Sequence, residues 1–221
     1  MPSCAHSKRP MMPDLSEILE ADLNWREAEL ASFTAAIMGA PKGTVREKTL
    51  LRGAWAILYS HYEGFCKFAW DAYLDELEKK SVKRSELTSE MAALSLRKNF
   101  KSLRGALSDK DLWEFGSTKF LEMQNSIATF EEKLETDSNL WPNLYRDNAH
   151  ALGVVPTLID QHATEIKTLV SRRNDIAHGQ KMIIKDIQEY KKYENAALLV
   201  MHDLAVCLIE SFDTESFKLK A

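Results

Sequence analysis

Apolar side chains recur every three or four residues along most of the chain, which is the spacing that places them on one face of an α-helix. These patterns lie at about residues 14–38, 44–80, 85–107, 156–178 and 186–212, with weaker ones at 108–134 and before Gly153. Strand periodicity is almost absent. The sequence therefore predicts an all-α fold, a bundle of five to six helices.

The predicted helix at 44–80 offers packing surfaces on two sides. Its main face carries large apolar residues such as Trp55 and Leu58. Gly53 and Gly64 lie three turns apart on another face, although each should cost about 1 kcal/mol relative to alanine. Small residues along one line let a second backbone approach closely. The partner on that side is either another helix of the same chain or a second copy.

The composition is that of a soluble globular protein. The 221 residues are 45% hydrophobic and 28% charged, and we expect a flexible leader at 1–13 followed by a single domain at 14–221. Three scattered cysteines favour reduced thiols and a cytoplasmic location. Because no uninterrupted run of about 18 apolar residues is present, we predict no membrane segment. A net charge of −4 restricts any nucleic-acid contact to a local patch or cleft.

The most informative stretch is residues 172–179, which closes the helix predicted to begin near Pro156. Arg173 falls on the stripe where the helical pattern expects an apolar residue. An unpaired buried guanidinium costs several kcal/mol, so either the helix end is open to water or an anion meets Arg173. Glu63 is a candidate partner on the helix at 44–80, and a solvated Glu63 is the equal alternative.

The same stretch also has a simpler explanation. Arg172, Arg173 and His178 are favoured near a helix C-terminus by the helix dipole, and Gly179 is a common residue just beyond a helix end. If the last turn is helical, Asn174 and His178 are neighbours on one flank. The stretch therefore either finishes a helix or offers a phosphate clamp, an amide and a titratable imidazole.

Other charged residues carry weaker signals. A basic strip on the predicted helix at 85–107 is either an RNA-facing patch or a solvated helix face; its members are Arg97, Lys98, Lys101 and Arg104. Arg146 and His150 repeat the Arg–His pairing at a shorter spacing, but we expect nothing else to gather around them. Neither the histidines nor the cysteines have metal-ligand spacing, so we predict no metal site and no cofactor.

An arginine, an asparagine and a histidine together suit the cleavage of RNA without a metal. Imidazole has an ordinary pKa near 6.5 and can act as general base or acid at neutral pH. A guanidinium is always charged and can hold a phosphate through two donors. The reaction needs both a base and an acid, and two copies meeting at a two-fold axis would supply two histidines.

These residues resemble the motif of the HEPN superfamily (higher eukaryotes and prokaryotes nucleotide-binding). Its RNase members share an Arg, a polar residue and, after three more residues, a His near a helix end; here these are Arg173, Asn174 and His178. Further stretches are similar to a bacterial HEPN branch predicted to act in toxin or phage-defence loci. They are Asp22 to Leu30, Leu50 to Trp55, Tyr59 to Phe65 and Ser138 to Leu140, so the likeness spans roughly residues 14–212.

The resemblance implies an all-helical domain that forms a two-fold homodimer, with two motifs sharing one cleft. It implies cleavage by the 2′-hydroxyl, which leaves a 2′,3′-cyclic phosphate. Arg173 would clamp the scissile phosphate, His178 would transfer a proton or polarise the phosphate, and Asn174 would orient them. Glu63 and His61, together with Arg172, are assigned auxiliary roles.

Two functions from different classes follow. The first is a metal-independent endoribonuclease that acts as a toxin or anti-phage defence effector, with RNA as substrate and an antitoxin or defence-system protein as a partner. The second is a non-catalytic helical module that binds a partner protein or a nucleotide, in which the motif is structural. Loss of RNA cleavage in a His178→Ala variant separates the two.

Overall fold

The computed structural model describes residues 13–105 and 107–220. Over these residues the chain forms helices joined by loops, without a strand, and two isolated β-bridges pair Lys83 with Ile127 and Leu87 with Lys218. The predicted all-α class is confirmed. The predicted leader, residues 1–13, lies outside the described residues except for Pro13.

Three long helices form the centre of the structure. They are α1 (Leu15–Met38), α2 (Val45–Lys79) and α10 (Ile187–Asp213). Each boundary lies within one residue of its prediction, because strong apolar periodicity and a clear cap coincide in these segments. The three helices pack against one another, with α2 in contact with both of the others.

Each long helix begins with a side-chain cap. Asp14 accepts the N–H of Glu17, and the Glu17 carboxylate accepts the N–H of Asp14 in return, which completes a capping box. Ser16, the other residue near this end that could serve as a cap, lies inside α1. Thr44 caps α2 by accepting the N–H of Glu47, and Asp186 caps α10 by accepting the N–H of Glu189. Such caps contribute about 1 kcal/mol each.

The helix predicted at 85–107 is divided. A short 3₁₀ turn at Arg84–Glu86 precedes α3 (Ser89–Ser95) and α4 (Arg97–Leu103). Leu96 separates the two helices with φ −107° and ψ 9°, and its side chain is buried. Burial of this leucine determines the direction of the chain, so tertiary packing overrides the local helical preference.

The helix predicted at 108–134 is only partly formed. It consists of α5 (Asp109–Glu114), one π-helical turn (Phe115–Lys119) and α6 (Phe120–Asn125). Beyond α6 the chain is irregular, because it pairs with the segment that follows α2. The N–H of Ala128 donates to the carbonyl of Val82 at 2.9 Å, which removes a donor that a continued helix would use.

Three helices complete the fold. They are α7 (Pro142–Ala151), α8 (Leu158–Gln161) and α9 (Ala163–Ala177). The helix predicted from Pro156 thus starts later and breaks at His162, where φ is −108° and ψ is 15°. The N–H of Leu158 donates to the Asp203 carboxylate of α10 at 2.8 Å, so the start of α8 is held by a residue remote in the sequence.

The core is organised around α2, whose large aromatic residues are almost completely excluded from solvent. These are Trp55, Tyr59, Tyr62, Phe65, Trp70 and Tyr73. The indole N–H of Trp55 donates to the carbonyl of Leu169 at 3.1 Å, so the buried polar atom has a partner and α9 is joined to α2. Burial of apolar surface at about 25 cal/mol per Å² makes this helix the main source of cohesion.

The glycine face of α2 packs against α1 of the same chain. A Cβ added at Gly64 would lie 3.0 Å from Nη1 of Arg26, and one at Gly53 would lie 3.9 Å from a ring carbon of Phe33. Arg26 is 8% exposed and forms an ion pair with Asp22 at 2.6 Å. Of the two partners left open by the sequence, the one seen here is a helix of the same chain.

Helix α10 meets the length and hydropathy expected of a membrane span, with a mean hydropathy of 1.5 in its most apolar window. Charged residues interrupt the apolar run of α10, so the criterion of about 18 uninterrupted apolar residues does not detect this helix. Of that window 44% is buried inside the fold, and core helices share this composition. Tyr190, Val200 and Leu204 of α10 are fully buried among the other helices.

We predict that alanine changes the stability of the protein differently at the two glycines of α2. Gly53→Ala should raise the free energy of unfolding by about 0.5–1 kcal/mol, because the added methyl group has room and alanine favours the helix. Gly64→Ala should lose that gain, because its methyl group presses on the buried Arg26 guanidinium. Urea denaturation measures both, and equal stabilisation by the two substitutions would contradict the close contact at Gly64.

Candidate functional site

The motif stretch forms a regular helix end. Helix α9 closes at Ala177, and Gly179 follows with φ +73°, as expected for a residue just beyond a helix. The N–H of Gly179 donates to the carbonyl of Ile176 at 3.1 Å, and that of Gln180 donates to the carbonyl of Asp175 at 2.8 Å. This pair of bonds is the Schellman arrangement. It leaves the side chain of His178 exposed at the helix end.

Arg52 of α2 fastens this helix end to the core. Its Nη1 donates to the carbonyl of Gln180 at 2.6 Å, and its Nη2 donates to that of Ile176 at 3.4 Å. The carbonyl end of a helix carries partial negative charge, so a guanidinium there is favourable. The position of His178 is therefore determined by α2 as well as by α9.

Arg173 is held on the side of α9 that faces α2 and the loop before α7. Its Nη2 donates to Oδ1 of Asn139 at 2.7 Å and to the carbonyl of Ser138 at 3.1 Å. Glu63 lies 4.0 Å from the same nitrogen. The side chain is 21% exposed, and Nη1 makes no hydrogen bond within the described residues. The Arg173 guanidinium thus binds the loop through Nη2, whereas its Nη1 has no hydrogen-bond partner within the described residues.

Tyr59 supports both Arg173 and the loop. The guanidinium carbon of Arg173 lies 3.8 Å from the centre of the Tyr59 ring, a cation–π contact. The Tyr59 hydroxyl accepts the N–H of Leu140 at 2.9 Å. Burial raises the pKa of Tyr59 to about 12, so the hydroxyl is neutral at physiological pH. One aromatic side chain therefore sets the distance between the loop and the motif arginine.

The loop itself has unusual backbone geometry. Asp137 and Ser138 both have positive φ angles, 46° and 66°. This conformation is uncommon for residues other than glycine and persists only where the surroundings enforce it. Here it turns the Ser138 carbonyl and the Asn139 side chain towards Arg173.

Asn174 and His178 do not contact the Arg173 side chain. Within the described residues, no hydrogen bond or ion pair links the three side chains. A helix advances about 100° per residue, so Arg173 and His178 point about 140° apart, whereas Asn174 and His178 differ by only about 40°. One chain thus presents the guanidinium and the imidazole in different directions.

Arg172 contacts residues of α10 and α2 that hold the helices together. Its Nη1 donates to Glu189 of α10 at 2.6 Å, and its guanidinium carbon lies 5.0 Å from the Trp55 ring centre and 5.6 Å from that of Tyr193. These contacts join α9 to α10 and α2. Arg172 therefore packs on Trp55 and pairs with α10, one turn of α2 away from the Tyr59 ring that contacts Arg173.

His61 faces α1 rather than the motif. Its Nε2 lies 2.8 Å from a carboxylate oxygen of Glu29, and its Nδ1 lies 3.4 Å from Nη1 of Arg26. Burial, with the nearby Arg26 charge, lowers the pKa of His61, although Glu29 opposes the shift. On α2, His61 points about 160–200° away from Tyr59 and Glu63. The structure brings Glu63 to Arg173 but leaves His61 on the far side of the helix.

A comparison with known protein families shows which family this chain belongs to. A family model described as HEPN_MAE_28990-like HEPN matches residues 15–217. The chain belongs to this HEPN family. No curated protein and no solved structure matches the chain. HEPN domains are generally RNase-like or nucleotide-related, which is the coarse function that membership supports.

Three residues of this HEPN site were not predicted as site residues. Asn139 and Tyr59 hold Arg173, and Arg52 holds the end of α9. All three lie in the stretches that carried the family resemblance, which was the available signal. Their roles depend on contacts between residues more than 30 positions apart. Within the described residues, no group of three or more His, Cys, Asp or Glu side chains is arranged to hold a metal ion.

We predict that Tyr59→Phe destabilises the protein by about 1–3 kcal/mol, because it leaves the buried N–H of Leu140 without an acceptor while the ring under Arg173 remains. Tyr193→Phe is the matched control, since that ring packs on Trp55 and its hydroxyl makes no hydrogen bond within the described residues. Urea denaturation of both variants measures the difference. A similar small effect in both would show that the Leu140 contact contributes nothing.

Proposed function

We propose that this HEPN protein is a metal-independent endoribonuclease whose active site is shared by two copies of the chain. The observation that carries the proposal is the geometry of the motif. A partly exposed Arg173 is held in place by Tyr59 and Asn139, and an exposed His178 lies at the end of the same helix with Asn174 beside it. These are the groups needed to hold a phosphate and to move a proton.

The proposed reaction is attack by the ribose 2′-oxygen on the adjacent phosphorus. The new P–O2′ bond forms as the P–O5′ bond breaks, which leaves a 2′,3′-cyclic phosphate and a 5′-hydroxyl. One imidazole accepts the 2′-hydroxyl proton and a second supplies a proton to the 5′-oxygen. Arg173 stabilises the charge that develops on the phosphoryl oxygens. The two imidazoles are His178 of the two copies.

A second copy is supported by the direction of the side chains. Because Arg173 and His178 of one chain point about 140° apart, a guanidinium from one copy and an imidazole from the other can converge more readily. Exposed apolar residues beside the end of α9 suit such a contact. Val45 is 81% exposed and Ile183 is 68% exposed, and both flank Arg52.

In the cell we propose that the protein acts in the cytoplasm as a toxin or anti-phage defence effector. A ribonuclease of this kind must be restrained when it is not needed, so an antitoxin or another defence-system protein is the expected partner. Family membership supports the RNase-like class. The cellular role is proposed from the resemblance to toxin and phage-defence branches.

The contacts of Arg173 favour one alternative. Because Nη2 already binds Ser138 and Asn139, the motif arginine also serves to hold the loop. In the alternative, this is its whole role, and the protein is a non-catalytic module that binds a partner protein or a nucleotide. His178→Ala would then change assembly or binding, and no RNA would be cut.

We predict that purified protein cuts total RNA or tRNA in excess EDTA and that the products carry 2′,3′-cyclic phosphate ends. His178→Ala and Arg173→Ala should each lower the rate by about 10²-fold or more, the usual contribution of a proton-transfer group or a phosphate clamp. His202→Ala is the control, because His202 is an exposed histidine on α10 paired with Glu27. Cleavage by His178→Ala at the wild-type rate would exclude the proposed mechanism.

Mixed dimers test whether the two copies share the site. Wild-type and His178→Ala subunits, with different affinity tags, are co-expressed and doubly purified. If one site uses the imidazoles of both copies, the mixed dimer should be as inactive as the His178→Ala homodimer. Activity of about half that of the wild-type dimer would place a complete site in each chain, and failure to recover a doubly tagged species would argue against the dimer.

A further inference from the structure

A cleft of about 500 Å³ opens between α4 and α7, outside the motif. Arg97, Phe100 and Lys101 of α4, with Arg104 just beyond its end, line one side, and His150 of α7 lines the other. The prediction that nothing gathers around Arg146 and His150 is wrong for His150, which lines the same cleft as the basic strip. Arg146 instead forms an ion pair with Asp160 at 2.8 Å. The long-range contact of α7 with the α3–α4 segment brings His150 to the basic strip.

The cleft is lined by three cationic residues, Arg97, Lys101 and Arg104, and by three carboxylates, Glu90, Glu135 and Asp137. Lys101 forms an ion pair with Glu132 at 2.7 Å, and Lys98, on the neighbouring side of α4, pairs with Glu131. Arg97 and Arg104 form no ion pair within the described residues. They lie seven residues apart on one face of α4, about 10 Å. That distance corresponds to about three stacked nucleotides of one strand.

The remaining lining residues suit unpaired nucleotides. Phe100 is half-buried in the wall and offers a ring face on which a base can stack. Glu135 and Asp137 lie at the loop side of the cleft, where carboxylates repel phosphates but accept hydrogen bonds from amino groups on base edges. Such edges are available in single-stranded RNA. Glu90 of α3 is a third carboxylate in the lining, so only Arg97 and Arg104 offer unpaired cationic groups to phosphates.

The cleft also adjoins the motif. Asp137 lines it, and the next two residues, Ser138 and Asn139, bind Arg173. Two residues span at most about 7 Å. One short loop therefore separates the cleft from the guanidinium that would hold the scissile phosphate. A strand leaving Arg173 reaches the cleft within a few nucleotides.

We propose that this cleft binds single-stranded RNA a few nucleotides from the scissile phosphate. Arg97 and Arg104 bind its phosphates, and Phe100 stacks on a base. The inference rests on the proposed RNase function for the position of the cleft along the substrate. The binding of RNA by the cleft itself does not depend on cleavage.

The test measures binding of a fluorescently labelled 12-nucleotide single-stranded RNA of mixed sequence by anisotropy, in the His178→Ala background so that the RNA stays intact. Arg97→Gln/Arg104→Gln should weaken binding by about tenfold and reduce the slope of log K against log salt by about 1.4, the value for two phosphate contacts of a single strand. Arg104 is exposed, and the half-buried Arg97 forms no hydrogen bond or ion pair within the described residues, so thermal unfolding should change little.

The control variant is Lys42→Gln/Arg46→Gln in the same background, which removes the same charge. Both residues are exposed, and Arg46 lies 13 residues along α2 from Tyr59, whose hydroxyl binds the loop beside the cleft, about 20 Å away. The affinity of this variant for the RNA should stay within about twofold of the parent. Equal losses in both double variants would assign the effect to overall charge and overturn the proposal.

Further outcomes separate this inference from the proposed function. If the wild-type protein cuts RNA and Arg97→Gln/Arg104→Gln leaves KM unchanged, the cleft is not a substrate site although the enzyme is a ribonuclease. If no protein cuts RNA but the arginine pair still determines binding, the RNA cleft stands and the RNase function falls. Competition by a mononucleotide as effective as the 12-mer would assign the cleft to free nucleotides and overturn the inference.

Discussion

The burial of α2 on two sides is the constraint on which the rest of the structure depends. Its aromatic face forms the core with α9 and α10, while its glycine face admits the Arg26 guanidinium of α1 at close range. A helix packed on both sides cannot rotate or slide without loss of many contacts. Arg52, Tyr59 and Glu63 are therefore held at fixed positions, and these three residues meet the motif helix.

The environment of Arg173 shows how a charge is kept near a core without full burial. The ring of Tyr59, the amide oxygen of Asn139 and the more distant Glu63 offset the cost of removing the guanidinium from water. Partial exposure retains solvent on the remaining side. A group held in this way is preorganised, so little side-chain entropy would be lost on binding of the proposed phosphate ligand.

Charge is distributed so that a protein with a net charge of −4 still presents local positive surfaces. Glu131 and Glu132 pair with Lys98 and Lys101, whereas Arg97 and Arg104 form no ion pair within the described residues, and α9 carries the partly exposed Arg173. Such an arrangement would limit non-specific attraction to nucleic acid and confine contacts with the proposed RNA substrate to defined places. The loop at Asp137 to Asn139, with its two positive φ angles, connects the two surfaces.

The sequence by itself determined the helical class, the three long helices, the helix end at Gly179 and the motif, because periodicity, caps and the glycine act over a few residues. Tertiary structure decided where the weaker helices break, since Leu96 and Ala128 follow remote contacts rather than local preference. It also decided that Arg173 meets Tyr59 and Asn139, that His61 faces α1 and that His150 joins the basic strip. The physical reason is that such partners are set by how helices pack, which spacing along the chain does not encode.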